Sequence, residues 1–192
     1  HDFRTPLTSI SGYIQMLLDN DNISTKEKIK YLTIIKNRSI SLSAIVEDFY
    51  SMTSIDSLDY PFVINKVSVS NILREIIASY YNELEHTFAK INVNIDSNCY
   101  IYSDKNALER IFSNLIKNSF VYGTYNIDIS LIDNNVNNTY DIKISNGLAK
   151  NFKIKSNEDI FKRNYSVDWA NGSKSTGLGL AIAKSLTEKS GG

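Results

Sequence analysis

Apolar residues in the first fifty positions fall at helical intervals. Phe3, Leu7, Ile10, Ile14, Leu17 and Leu18 recur three or four residues apart, which predicts an amphipathic helix from Phe3 to about Asp19. Pro6 lies inside this pattern and is expected to kink the helix or loosen its first turn. Asn20 to Ile23 reads as a turn, and Ser24-Thr25-Lys26-Glu27 as a capping box opening a longer helix. That helix carries Ile29, Leu32, Ile35, Leu42, Ile45, Phe49 and Met52 on its apolar stripe. Two such helices joined by a short loop make a hairpin. Their apolar faces exceed what the pair can bury alone, so dimerisation into a four-helix bundle is expected.

The pattern changes after a linker near Ile55 to Pro61. A helix is predicted from about Val69 to Glu85, then short strands at Ile91 to Ile95 and Tyr100 to Ser103, then a helix from Lys105 to Tyr122. Ile127 to Ile132 and Tyr140 to Ser145 alternate around an Asn-rich turn at Asp133 to Asn138, the signature of a hairpin. Gly147 to Thr176 is a long polar stretch of little periodicity, and loops of that length are usually functional lids or disordered. Within it, Phe161 and Trp169 are the expected docking points. A last helix starts at Gly177. This order predicts helices on one face of a largely antiparallel sheet, a mixed α/β sandwich.

Composition narrows the class of protein. Lys plus Arg and Asp plus Glu balance at 21 each, so no global field draws the chain to nucleic acid or anionic lipid. Cys99 is the single cysteine, and His1 and His86 are the two histidines. No disulfide framework or zinc cluster can be built from these. That fits a reducing cytoplasm. No apolar run approaches the roughly 18 residues of a membrane span, and there is no signal peptide. His1 has no N-cap before it, and the chain ends on Gly191-Gly192 where a further element is expected. The sequence therefore reads as a fragment, with any membrane anchor in segments outside it.

Three segments carry candidate chemistry. His1-Asp2-Phe3-Arg4-Thr5-Pro6-Leu7 offers a nucleophilic imidazole beside a carboxylate. Asn114-Leu115-Ile116-Lys117-Asn118 places two amides one helical turn apart, and amide oxygens suit Mg²⁺. Ser175-Thr176-Gly177-Leu178-Gly179-Leu180-Ala181-Ile182 is a glycine pair opening an apolar helix, whose N-terminal N–H groups are free for phosphate. Taken singly, these have plainer readings: an exposed histidine, a polar helix face in an Asn-rich chain, and an ordinary loop-to-helix junction.

In this order and spacing the three segments resemble the H-box, N-box and second glycine box of bacterial sensor histidine kinases, and the resemblance covers nearly the whole chain. It implies an α+β protein. Residues 1–58 would be a dimerisation and histidine-phosphotransfer hairpin. Residues 59–192 would be an α/β-sandwich ATP-binding domain of the histidine kinase and gyrase type. His1 would be phosphorylated from ATP, with Asp2 holding the second ring nitrogen and Thr5 orienting water for dephosphorylation of a regulator. Asn118 would be the principal Mg²⁺ ligand and Asn114 a phosphate or metal-shell partner. Tyr122 would pack near the adenine, and Gly177 and Gly179 would approach the phosphates.

The match departs from the family in places. Asn146, in Ile144-Ser145-Asn146-Gly147-Leu148-Ala149, stands where the family has an Asp that accepts from the adenine amino group, and a second glycine is absent. Ile160-Phe161-Lys162-Arg163-Asn164-Tyr165 resembles the phenylalanine box; Arg163 matches one of its two arginines, and Ser166 replaces the other. Val121 replaces a frequent lysine. Implied partners are a cognate response regulator, docking near Thr5 and Ser9, and a second copy of the chain. The closest likeness is to kinases of Gram-positive bacteria that sense peptide antibiotics or cell-wall stress. A phosphatase-biased kinase and a non-catalytic dimeric signalling module stay open as alternatives; a DNA-acting ATPase of the same fold would leave the first motif unexplained.

Overall fold

The computed structural model describes residues 3–20, 22–56, 60–134, 136–137, 139–148, 156, 159–163 and 177–191. The chain splits into two compact units, His1–Ser54 and Ile55–Gly192.

The first unit is a helical hairpin of α1 (Arg4–Leu18) and α2 (Thr25–Asp56), the latter running two residues past the unit's end. The predicted capping box forms. Ser24 Oγ donates to Glu27 Oε2 at 2.7 Å, and the Glu27 N–H reaches back to Ser24 Oγ at 3.3 Å. The Ser24 hydroxyl, and after it the Ser24 N–H, donate to the Glu27 carboxyl and hold it below the usual range. Pro6 falls in the first turn of α1, where a missing N–H breaks no helical bond, so no interior kink is required. The first turn is nevertheless loose, with Leu7 N–H to the Phe3 carbonyl at 3.4 Å. Aromatic pairs fix the antiparallel arrangement: Phe3 lies edge-on to Phe49 at 6.1 Å, and Tyr13 meets Tyr31 at 5.3 Å. Much of the predicted apolar stripe is exposed, including Leu7, Ile14, Leu18, Ile29, Leu32 and Phe49.

The second unit runs β1 (Ile64–Ser68), α3 (Val69–Ser79), α4 (Tyr81–Thr87), β2 (Phe88–Ile95), β3 (Tyr100–Asp104), α5 (Lys105–Tyr122), β4 (Gly123–Asn134), β5 (Thr139–Leu148), a 3-10 turn (Asp159–Phe161) and α6 (Gly179–Lys189). Among the described residues the strands form two sheets, β1-β3 and β2-β4-β5. The β4-β5 pair is the antiparallel hairpin expected, and β1-β3 is antiparallel as well. The β2-β4 pair is parallel, because β3 and α5 form a crossover between them. The core lies between sheet and helices. Ile127, Ile129 and Leu131 alternate inward from β4, to the side on which Ile72, Leu73 and Ile76 of α3, Leu108, Phe112 and Ile116 of α5, and Ile182 and Leu186 of α6 are buried.

Two elements differ from the sequence expectation. The helix expected over 69–85 is two helices, broken at Tyr80 (φ −107°, ψ 15°), where the ring turns edge-on to Phe120 of α5 at 5.7 Å. The strand β1 was not anticipated. It is five residues long with three of them exposed, so no alternation marks it, and its register is set by β3 and by a buried carboxylate. That carboxylate, Asp104, accepts from Ala107 N–H at 2.9 Å, capping α5, and from Val63 N–H at 2.7 Å, anchoring the start of β1.

Candidate functional site

Helix α5 carries the amide pair. Its apolar positions Leu108, Ile111, Phe112 and Ile116 face the core, which leaves Asn114 and Asn118, four residues apart, half-buried on another face. Tyr122 is the last residue of α5. The chain turns there into β4 with no room to spare: a Cβ on Gly123 would stand 2.6 Å from the Phe88 ring.

The glycine pair meets this helix. Gly177 adopts a left-handed conformation (φ 63°), closed to most side chains, and this conformation turns the chain into α6. Leu178 begins the helix without a side-chain cap, and its carbonyl takes the first helical bond from Ile182 N–H at 2.8 Å. Among the described residues no side chain caps this N-terminus, and the N–H groups of a helix's first turn suit an external anionic acceptor. Gly179 sits directly against α5, where an added Cβ would lie 3.4 Å from Asn114 Oδ1. The structure thus brings together two residues 65 positions apart in sequence, with an amide oxygen of α5 beside the N-terminus of α6. Among the described residues no group of His, Cys, Asp and Glu could hold a metal ion, so a cation at this place would rely on amide oxygens. Magnesium, a hard cation that keeps several waters, fits that donor set.

The expected adenine end lies on β5. Asn146 is half-buried, in register with Ile127, and its amide N–H donates to the Gly147 carbonyl at 3.0 Å. Gly147 is required sterically, since a Cβ there would come within 2.5 Å of the Thr124 carbonyl oxygen. The close approach coincides with a bulge between Thr124 and Ile127, at which Tyr125 takes φ 63°. A polar group that sequence reasoning missed lies next to it. Asn92 and Asn126 both donate to Asp128, and these bonds hold its carboxyl below the usual range, Asn92 contributing most. Its only sequence signal was polar alternation in β4, and its partner on β2 could not be named without the parallel register.

Of the polar stretch after β5, the 3-10 turn is described. The Phe161 ring lies under the Lys184 ammonium of α6 at 5.9 Å, so the expected docking by Phe161 is present. Lys162 pairs with Asp159 at 2.5 Å, which raises the lysine pKa. Arg163 is exposed beside it. Trp169, Ser166, Ser175 and Thr176 lie outside the described residues, as do His1 and Asp2. Thr5 is exposed on the first turn of α1.

Residues 1–58 match the His Kinase A (phospho-acceptor) domain. The whole chain is 28% identical, over 195 residues, to sensor histidine kinase YcbM of Bacillus subtilis and spans 62% of that protein. Residues 1–58 therefore belong to the His Kinase A phospho-acceptor domains, and over its whole length the chain is similar to sensor histidine kinases. Its fold agrees with this placing. Histidine kinase AdeS of Acinetobacter baumannii superposes with a TM-score of 0.78 at 20% identity, over 98% of this chain and 86% of that one. Histidine kinase ThkA, solved in complex with the response regulator protein TrrA, superposes with a TM-score of 0.69 at 20% identity, over 100% of this chain and 53% of ThkA. The architecture is therefore a phospho-acceptor hairpin followed by an α/β unit of the histidine kinase type. The chain spans about half to three-fifths of the length of the first curated relatives it matches. Among the described residues no helix is long and apolar enough to cross a membrane.

Proposed function

We propose that residues 59–192 bind Mg·ATP and that the γ-phosphoryl group passes to His1 in the hairpin of residues 1–58, then to an aspartate of a cognate response regulator. The observation that carries this reading is the contact between Asn114 and Gly179, which supplies an amide oxygen and a helix N-terminus at one place. The neutral imidazole of His1 forms the new N–P bond as the bond to the β-phosphate oxygen breaks and ADP leaves. Asp2 holds the second ring nitrogen. Asn118 holds the magnesium, with Asn114 beside it, and the N–H groups following Gly177 and Gly179 cradle phosphate oxygens. The cation, when bound, would spread the charge developing on the phosphates. Tyr122 flanks the adenine and the Asn146 oxygen accepts from its amino group, while Arg163 reaches the γ-phosphate.

Two partners belong to the same proposal. The exposed stripe of the hairpin supports a homodimer. The exposed Thr5 supports regulator docking beside His1, and it favours a second activity, water-mediated dephosphorylation of that regulator. ThkA, solved with its regulator, supports the same partner class. The deciding experiment uses radiolabelled ATP. His1→Gln is expected to abolish acid-labile label while ATP still binds, because acceptor and nucleotide residues lie in different units. Acid-labile label persisting on the variant would remove His1 from its role.

A further inference from the structure

We propose that Lys117 is a further phosphate-contacting residue, whose ammonium exchanges an aromatic ring for a phosphate oxygen when nucleotide binds. This rests on the nucleotide reading of α5 given above. Asn114, Lys117, Asn118 and Val121 stand at helical intervals of three and four, so they share one face of α5, and Lys117 lies between the two amides. At about 1.5 Å of rise per residue, its Cα is within a single turn of both. The same face meets the N-terminus of α6, because Asn114 abuts Gly179. A polyphosphate held by those N–H groups and amides would bring a charge of several units beside this lysine.

The surroundings of Lys117 leave it available. Lys117 is exposed, and among the described residues it has no carboxylate partner. Its ammonium is held instead over the Tyr80 ring, 6.0 Å from the centroid, at the outer edge of the range where such contacts count. Tyr80 is itself fixed against Phe120 and placed by the break between α3 and α4, so the ring makes a steady resting position. A weak ring contact is readily traded for a charge-assisted hydrogen bond to phosphate. Lys105 of the same helix is differently placed, since Glu109 engages its ammonium at 3.3 Å. Val121, one turn beyond Lys117, has no donor to offer.

Equilibrium binding of ATP, ADP and adenosine to the whole chain, with Mg²⁺ present, tests this. Lys117→Met should weaken ATP about tenfold and ADP less, with adenosine unchanged, and Lys117→Arg should recover most of the loss. The dependence of ATP affinity on salt should flatten in Lys117→Met. Lys105→Met should match the wild type in all three affinities, and Tyr80→Leu should retain ATP affinity, because the ring is only the resting position. Equal ATP affinity in Lys117→Met and wild type would overturn the proposal, as would equal losses for ATP and adenosine, which mark a merely structural role. A loss in Tyr80→Leu as large as in Lys117→Met would overturn the exchange. Wild-type protein that binds none of the three ligands would sink the nucleotide reading and the lysine assignment with it.

Discussion

Asp104 shows how much one side chain can organise. Its carboxylate is buried and receives two backbone N–H groups from segments 41 and three residues away, Val63 and Ala107. Asp104→Ala would leave both donors without their acceptor and remove the cap of the helix bearing the amide pair. A loss of about 2–4 kcal/mol is expected, read as a lower urea midpoint for the second unit. Asp104→Asn should lose less, because one amide oxygen still caps. At this scale local chemistry was legible and distant chemistry was not. The Ser24-to-Glu27 box could be named from four consecutive residues, and it forms. The second partner of Asp104, and the bonds from Asn92 and Asn126 to Asp128, depend on strand register that no local pattern encodes.

Among the elements, α5 was the clearest in the sequence, since its start at Lys105 and its end at Tyr122 both agree. The contrast between its two amides gives a prediction at this scale. Asn118→Asp should impair use of Mg·ATP more than Asn114→Asp, measured as initial rate of phosphorylation against Mg²⁺ concentration. Asn114 lies against Gly179, whereas Asn118, one turn further along the same face, is the one of the pair set to ligate directly. Equal, mild effects would return both residues to a polar helix surface, and a loss confined to Asn114 would reverse the roles. The break at Tyr80 was hidden for a physical reason: Ile72, Leu73, Ile76, Ile77 and Leu84 continue one buried stripe across it, and the turn is fixed by packing on Phe120 rather than by a Gly or Pro. Five-residue β1 was hidden because its pairing, not its side chains, defines it.

For the whole molecule, the order of the three motifs was readable, and so was the passage from hairpin to mixed α/β unit. The meeting of α5 with α6 was not readable from periodicity, since their contact spans the long polar stretch. The exposed residues of α1 and α2 carry the prediction at this scale. Leu18 is 70% exposed and Leu32 56%, in a stripe continued by Ile14, Ile29 and Phe49, more than a monomeric hairpin ordinarily leaves to water. Sedimentation at micromolar concentration should show a dimer that Leu32→Glu shifts towards monomer. A wild-type chain sedimenting only as monomer would count against the bundle.

The parallel pairing of β2 with β4 also governs how quickly the second unit can assemble. Hairpin strands such as β4 and β5 meet across a few residues and can close early. The parallel pair must enclose β3 and all of α5 before its first ladder bond repays the ordering of the chain between them. Docking of α5 should therefore be rate-limiting, with its buried face formed in the transition state and the outlying β1 added afterwards. Stopped-flow refolding distinguishes the two steps: Ile116→Val should slow refolding with little change in unfolding, whereas Val67→Ala should chiefly speed unfolding. The opposite pattern would place the slow event at β1 and leave the crossover a late, fast step.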